Sequence, residues 1–530
     1  MRRKVSLGLL AAVFALTLFA GCKSSPEPSG GGTLPVTDMA YKLADNSDVE
    51  VTYFDFGDGK LENAVGNPVP CPLDGIIAAP KGPGPYPLVV IFHGVKRVDT
   101  IYDKVYSGFD YLVGQLAAEG YVALSFNVNI DYHCWDYGES MDYDWAYTVY
   151  KQQMALLERA NAGLETGHGV DLKGKIDFSQ VHFMGHSRGG EMADCLIRRE
   201  RREGLDRVRS LVRIASTALE MDEPNPDIPT GIIIAEFDGD VPEDGQRVFD
   251  EMLRDPGRES AASIVYLRGA NHAYFNRMFT EDDGTSQENR LTREQQEDFM
   301  LRYAAAFLSV YARGEGPWGL WDSGEAEPSS MFGYAVTASY APPDSLSLIS
   351  PSEGELASLN ETGAVSVSYL LREFNDGLLF QHPGALQNMG TLPLYSIRWT
   401  GEDGAVSFPC PPADFSAYSA LSLYVAVDSS DELSPQALDQ SLTVALRDAS
   451  GAERRVLIPK GTGALTFHGG SALDLGGGAV IWQGFMPLGE LRVPLSYFDE
   501  IDLGAVSEIV LSLDQTSSGA LMLSGISLAG

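Results

Sequence analysis

The sequence predicts an α/β chain in two parts: a doubly wound, mostly parallel sheet, then an all-β sandwich of jelly-roll type. Three observations carry this reading. From Val49 to about residue 315, apolar strand-like runs alternate with helix-like segments, the pattern of a parallel sheet covered on both faces. Within it, "YPLVVIFHG" (Tyr86–Gly94) is an unbroken apolar run closed by glycine, as a strand buried on both sides requires. Beyond "GEGPWGLWDSGEAEPSS" the long helical patterns stop, and short alternating runs separated by turn residues take over.

Taken in order, the chain begins with "MRRKVSLGLLAAVFALTLFAGC". Arg2, Arg3 and Lys4 precede an apolar stretch, Val5 to Phe19, too short and too early for an ordinary spanning helix, so residues 1–21 read as a secretory signal. The ending Leu18-Phe19-Ala20-Gly21-Cys22 resembles a bacterial lipoprotein box, with Phe19 where leucine is usual. The resemblance implies removal of residues 1–21, lipidation of Cys22 and an extracytoplasmic, envelope-anchored protein whose contact with the membrane is the lipid alone. Residues 22–37, with "KSSPEPSGGGTLP", hold almost nothing to bury and are expected to form a disordered tether.

Residues 38–315 are expected to form the first domain. "VEVTYFDF" and "DGIIAAP" read as strands, "FDYLVGQLAAEG" as an amphipathic helix stopped by Gly120, and "YVALSFNVN" as the next strand. A long helix, "DWAYTVYKQQMALLERANAGL", leads to the strand "QVHFMGHS" and the helix "GEMADCLIRRER". Three more strands follow, "VRSLVRIAS", "TGIIIAEFD" and "ASIVYLRGANH", and "TREQQEDFMLRYAAAFLSVYARG" closes the domain as a helix. Residues 316–340 are expected as linker and 341–530 as the sandwich, with no fixed-period repeat.

Composition narrows the classes of function. A hydrophobic content of 44% over 530 residues supports substantial cores. A net charge of −35 excludes neutralisation of nucleic-acid phosphates and electrostatic adhesion to anionic lipid. Of the five cysteines, at 22, 71, 134, 195 and 410, none stands in a zinc-type spacing; Cys71 and Cys134 are the candidate pair for a bridge, and Cys195 reads as a small buried apolar residue.

The chemistry gathers around "VHFMGHSRGGEMADCLIRRE". Strand, Gly185-His186-Ser187-Arg188-Gly189, then helix is the context in which a G-x-S-x-G stretch leaves a serine projecting from a sharp turn. A serine hydroxyl is a poor nucleophile until a base takes its proton, so a histidine oriented by a carboxylate is required. Of eight histidines, only His272 follows Ser187 inside the first domain, in the loop "GANHAYFN" at a strand's carboxyl end. Asp238, directly after "GIIIAEF", is the candidate carboxylate, with Asp240 as fallback. The oxyanion of a tetrahedral intermediate needs hydrogen-bond donors; the backbone N–H groups of Val95 and Arg188 are the candidates. His93 reads as a buttress for the Val95 loop, and the Arg188 side chain as a surface or ion-pairing group. The segment Asn129–Trp145 carries aromatic residues and the acids Asp131, Asp136, Glu139, Asp142 and Asp144. It reads as a packed surface loop, a substrate-binding lip or a calcium site.

"PYPLVVIFHG", "GKIDFSQVHFMGHSRGGE", "FDGDVP" and "GANHAYFN" together resemble the α/β-hydrolase superfamily, nearest its platelet-activating-factor acetylhydrolase, chlorophyllase, dienelactone hydrolase and cutinase-like branch. The likeness spans roughly residues 70 to 310. It implies Ser187 as nucleophile, His272 as general base, Asp238 as its orienter, Val95 and Arg188 as backbone donors, no cofactor, and hydrolysis of a small-molecule or polymeric ester. The final stretch from "LRVPLSYF" resembles galactose-binding-like sandwiches. That likeness implies a possible glycan ligand, with Tyr395, Trp399, Tyr418, Trp482 and Phe485 as available aromatics, although strand aromatics more often serve a core. Competing readings are a peptidase of the prolyl-oligopeptidase kind and a catalytically inert glycan-binding surface lipoprotein.

Overall fold

The computed structural model describes residues 32–96, 100–218, 223–241, 244–281, 289–373, 391–469, 471–476, 479–483 and 486–530. The signal segment, Cys22 and most of the tether lie outside them, as does Phe485; Trp482 stands in a strand whose side chains are not described.

In chain order the elements begin with β1 (Gly32–Thr33), β2 (Thr37–Met39), β3 (Thr52–Asp58), β4 (Pro72–Ala78) and β5 (Tyr86–Phe92). Next come α1 (Asp110–Ala118), β6 (Val122–Phe126), α2 (Asn129–Tyr132), α3 (Asp144–Asn161), β7 (Ile176–His186) and α4 (Arg188–Arg202). The series continues with β8 (Val208–Ile214), β9 (Thr230–Ala235), α5 (Asp244–Arg254), β10 (Ala262–Leu267), α6 (Arg293–Tyr311), β11 (Pro328–Met331) and β12 (Tyr334–Ala341). These strands, β1 excepted, form one sheet in the order β2-β11-β12-β10-β9-β8-β7-β5-β6-β4-β3. Its centre, from β6 through β5, β7, β8 and β9 to β10, is parallel; β4 and β12 flank it antiparallel.

Strand β5 explains why the centre is apolar throughout. Leu88, Val90 and Phe92 point into one core, with Met154 and Leu157 of α3 and Met192 and Leu196 of α4. Val89 and Ile91 point into the other, with Leu112 and Leu116 of α1 and Phe299 and Phe307 of α6. Successive strand residues face opposite sides, so a strand with helices on both faces has no polar position to offer. Helix α6 starts where Thr292 and Gln295 form a reciprocal capping box.

The second part comprises β13 (Ser345–Ile349), β14 (Asn360–Thr362), β15 (Val365–Glu373), β16 (Thr391–Thr400), β17 (Gly404–Pro409), β18 (Ala420–Val427) and β19 (Leu442–Asp448). It is completed by β20 (Glu453–Ile458), β21 (Ser471–Gly476), β22 (Ala479–Gln483), β23 (Gly489–Pro494), β24 (Val506–Leu513) and β25 (Ser518–Ala529). Two six-stranded sheets, β1-β20-β19-β24-β17-β14 and β15-β16-β25-β18-β23 with β13 paired to β25, enclose a common core. Apart from the parallel β1–β20 pair, their ladders are antiparallel.

The structure differs from expectation in four places. Residues 316–340 are not a linker: Trp321 is buried and donates to Ser263 Oγ at 3.1 Å, and β11 and most of β12 fall in this segment and extend the first sheet. The end of the tether is ordered, with Gly32 and Thr33 paired to Val456 and Leu457 and Leu34 buried in the second core. Cys71 and Cys134 are free buried thiols, and burial pushes both up to about 11. Tyr395 and Trp399 are core residues rather than a ligand platform, their polar atoms bonded to the carbonyls of Ser352 and Thr516, while Tyr418 packs half-buried against the same core.

A buried polar cluster joins the two parts. Arg492 on β23 is fully buried; its backbone N–H donates to Glu327 Oε2 at 2.7 Å and its guanidinium to the carbonyls of Glu325 and Leu320. Glu490, two residues earlier, accepts from the Tyr340 backbone at 2.9 Å and from Ser422 Oγ at 2.6 Å. Burial, reinforced by the Glu490 charge, pushes Glu327 up to about 8. Its Oε1 has no hydrogen-bond partner among the described residues.

Candidate functional site

Ser187 occupies the single residue between β7 and α4, with φ +55° and ψ −130°. That backbone suits glycine, and a side chain there is strained. The turn is held by the Ser187 N–H donating to Ile214 at 2.9 Å and its carbonyl accepting from Gly190 at 3.0 Å. The flanking glycines are steric necessities: a Cβ at Gly185 would lie 2.2 Å from the Gly189 oxygen, and one at Gly189 would lie 2.4 Å from the Phe92 oxygen. The serine side chain makes no cap bond to its own helix.

The other candidates come from the same edge of the sheet, where the parallel strands end. Asp238 follows β9, His272 follows β10 and Val95 follows β5. Asp238 Oδ2 accepts from His272 Nδ1 at 3.0 Å, while its Oδ1 accepts the N–H groups of Asp240 and Val241, both at 2.8 Å. Burial alone would raise the Asp238 carboxyl, but the His272 interaction and those two N–H groups outweigh it and hold its pKa below the ordinary aspartate value. Its carboxylate is therefore ionised at neutral pH and fixes the tautomer of the imidazole with the proton on Nδ1. Asp240, the fallback, does not take the Nδ1 position; its Oδ2 lies 3.7 Å from His272 Nε2.

Two contacts tie His272 to the serine turn and to the body of the domain. His186, next to Ser187, donates from Nε2 to the His272 carbonyl at 2.9 Å, and the two rings lie 4.8 Å apart. Burial pushes His186 down to about 3, so it stays neutral. Behind the loop, Gln296 of α6 clamps the Asn271 main chain, accepting from its N–H at 3.1 Å and donating to its carbonyl at 2.7 Å.

The donor candidates flank Ser187. Arg188 is the first residue of α4, where helix geometry gives the N–H no intrahelical acceptor. On the other side, a Cβ at Gly94 would lie 2.6 Å from Ser187 Cβ, so the chain carrying Val95 passes directly over the serine. Val95 itself is 39% exposed. His93 is fully buried: Nδ1 donates to the Gly94 carbonyl at 2.9 Å and Nε2 accepts from the Val128 N–H at 3.1 Å. Burial pushes it down to about 4, which keeps it neutral and able to accept.

The segment Asn129–Trp145 packs into the domain. Tyr132, Tyr143 and Trp145 belong to the core, leaving Trp135 exposed at 65%. Its acids do not converge. Asp131 accepts the Ala146 N–H and is pushed up to about 7 by burial, Asp136 faces His133, Glu139 accepts the Ala64 N–H, and Asp144 pairs with Arg199. Among the described residues no cluster of three or more His, Cys, Asp or Glu side chains is placed to hold a metal.

Linear reading missed how this segment braces the site. Tyr132 donates to the His93 carbonyl at 2.8 Å, and Tyr143 donates to Glu191 Oε2 at 2.8 Å, where Thr217 Oγ1 also donates at 2.8 Å. The Arg188 guanidinium is half-buried beside this cluster, 3.9 Å from Glu191. The Arg188–Glu191 spacing of three on an amphipathic helix was a visible signal; the tyrosines, one 39 residues after its partner His93 and the other 48 before Glu191, offered none.

A serine held in a strained turn, an acid–imidazole pair whose loop is hydrogen-bonded to the residue before it, and a helix N-terminus at Arg188 are the groups with which a hydroxyl can be activated and developing charge stabilised. The chain matches no family model, and no curated protein matches it in sequence. No helix among the described residues is long and apolar enough to cross a membrane.

Proposed function

We propose that the chain is a serine hydrolase of the α/β-hydrolase fold that cleaves carboxylic esters through an acyl-enzyme, without a cofactor. The observation that carries the reading is the His272 Nδ1–Asp238 pair at 3.0 Å, in a loop bound through its own carbonyl to His186, the residue before Ser187. In this reading Ser187 Oγ attacks the ester carbonyl carbon while its proton passes to His272 Nε2. The oxyanion is met by the N–H groups of Val95 and Arg188. Collapse returns the proton from His272 to the departing alcohol; water, deprotonated by the same nitrogen, then attacks the acyl carbon and releases the acid.

The strained φ at Ser187 supports the same reading, since backbone strain of this size persists where surrounding structure enforces it. We further propose that Cys22 carries a lipid and that the body stands outside the cytoplasm. A fluorophosphonate probe tests both proposals together. Wild type becomes labelled in the membrane fraction, Ser187→Ala is folded but unlabelled, and Cys22→Ala carries the label into the soluble fraction. A folded wild type that never labels sinks the hydrolase reading, and equal partitioning of wild type and Cys22→Ala sinks the anchor.

A further inference from the structure

The loop after β9 offers His272 two carboxylates. Asp238 takes Nδ1, and Asp240 Oδ2 stands 3.7 Å from Nε2 on the opposite edge of the ring. The two are mechanically linked, because Asp238 Oδ1 accepts the Asp240 N–H at 2.8 Å and so fixes the backbone from which the second carboxylate projects. They differ in setting. The Asp238 side chain is fully buried, whereas that of Asp240 is 66% exposed. In the hydrolase reading Nε2 is the nitrogen through which protons pass, and Asp240 is the acid beside it.

We infer that Asp240 is a second positioning carboxylate for His272, acting from the Nε2 side to favour the protonated imidazole. The role rests on the hydrolase reading for its use in catalysis, though not for its electrostatics. Stabilising the imidazolium helps the step in which Ser187 gives up its proton and raises the pH below which the base is lost. The ring meets Asp238 at Nδ1, Asp240 at Nε2 and His186 across its face; the aromatic neighbours Phe275 and Phe279, which pack on His186, carry no charge. His186 is kept neutral by burial, so of these three groups the two acids are the ones that bring charge to the ring.

Because Asp240 is largely solvated, its effect is that of one screened charge near 4 Å, a shift of about half to one pH unit, or about three- to tenfold in proton affinity. The test is the titration of His272 in the full-length protein carrying ¹³C-labelled histidine, with the resonance assigned by its loss in His272→Gln. Asp240→Asn lowers the titration midpoint by about half to one unit, and Asp240→Glu keeps it near the wild-type value. An unchanged midpoint in Asp240→Asn overturns the inference. For hydrolysis of an uncharged ester, the acid limb of kcat/KM moves down by the same amount in Asp240→Asn. The two proposals fail separately: without probe labelling the hydrolase reading falls while a shifted midpoint still upholds Asp240, and with labelling but no shift, Asp240 alone is removed.

Discussion

A backbone angle of +55° at Ser187 is the clearest cost written into the first domain. Holding a non-glycine residue in such a region costs about 1–3 kcal/mol, and here the hydroxyl returns nothing to the helix it precedes. Ser187→Gly is therefore expected to stabilise the folded protein by about 1 kcal/mol while abolishing probe labelling. Chemical denaturation of the variant beside wild type measures this, and a less stable glycine variant would argue that the serine side chain contributes packing instead. At this scale the strand ends that carry the candidate residues were legible. Ser187, Asp238 and His272 each follow an apolar run by a few residues, and the structure sets each beyond the end of a parallel strand, β7, β9 or β10. Asp240 was legible only as a substitute for Asp238, because nothing in a linear pattern says which of two acids, two residues apart, meets which ring nitrogen.

Among elements, the segment from α2 to the start of α3 does the bracing. Tyr132 holds the His93 carbonyl on one side of Ser187, and Tyr143 holds Glu191 on the other. Removing a hydroxyl that serves a buried carbonyl costs about 1–3 kcal/mol. Tyr132→Phe is expected to lower stability within that range. It should also lower kcat on a short-chain aryl ester about five- to tenfold, with KM little changed, because the loop carrying Val95 loses a fixed point. Steady-state kinetics give the split, and a change confined to KM would place Tyr132 against the substrate rather than behind the loop. The sequence marked this segment as aromatic and acidic but could not tell packing from binding, since side-chain partners in β5 and α4 decide that. The same blindness explains β11 and β12. Their short runs of small and aromatic residues signal extended chain, but a strand's own pattern does not name the sheet it will join, and a Gly/Pro-rich stretch just before them looked like a boundary.

For the molecule as a whole, the cluster of Glu327, Glu490 and Arg492 sets how firmly the two parts hold together. Two buried carboxylates face one guanidinium, and Glu327 is pushed up to about 8 from an ordinary value of 4.5. A carboxyl raised on folding favours the folded state in its protonated form. Its contribution is fully present below about 4.5 and is lost as pH rises through about 8. Glu327→Gln keeps the shape and removes the proton dependence, so wild type should lose thermal stability relative to the variant between pH 5 and pH 9. Parallel Tm profiles across that range would contradict the assignment of the proton to Glu327.

The short strand β1 lies along the second part, and only then does the chain cross to the first part as β2. If Cys22 is the lipidated residue, the ten residues from there to Gly32 span at most about 35 Å. Tension on the leash would then arrive at a two-residue parallel ladder on β20, which can peel open without disturbing the sheet that carries Ser187. The sandwich would then take the pull first, shielding the part that carries Ser187 from the tug of its own mooring.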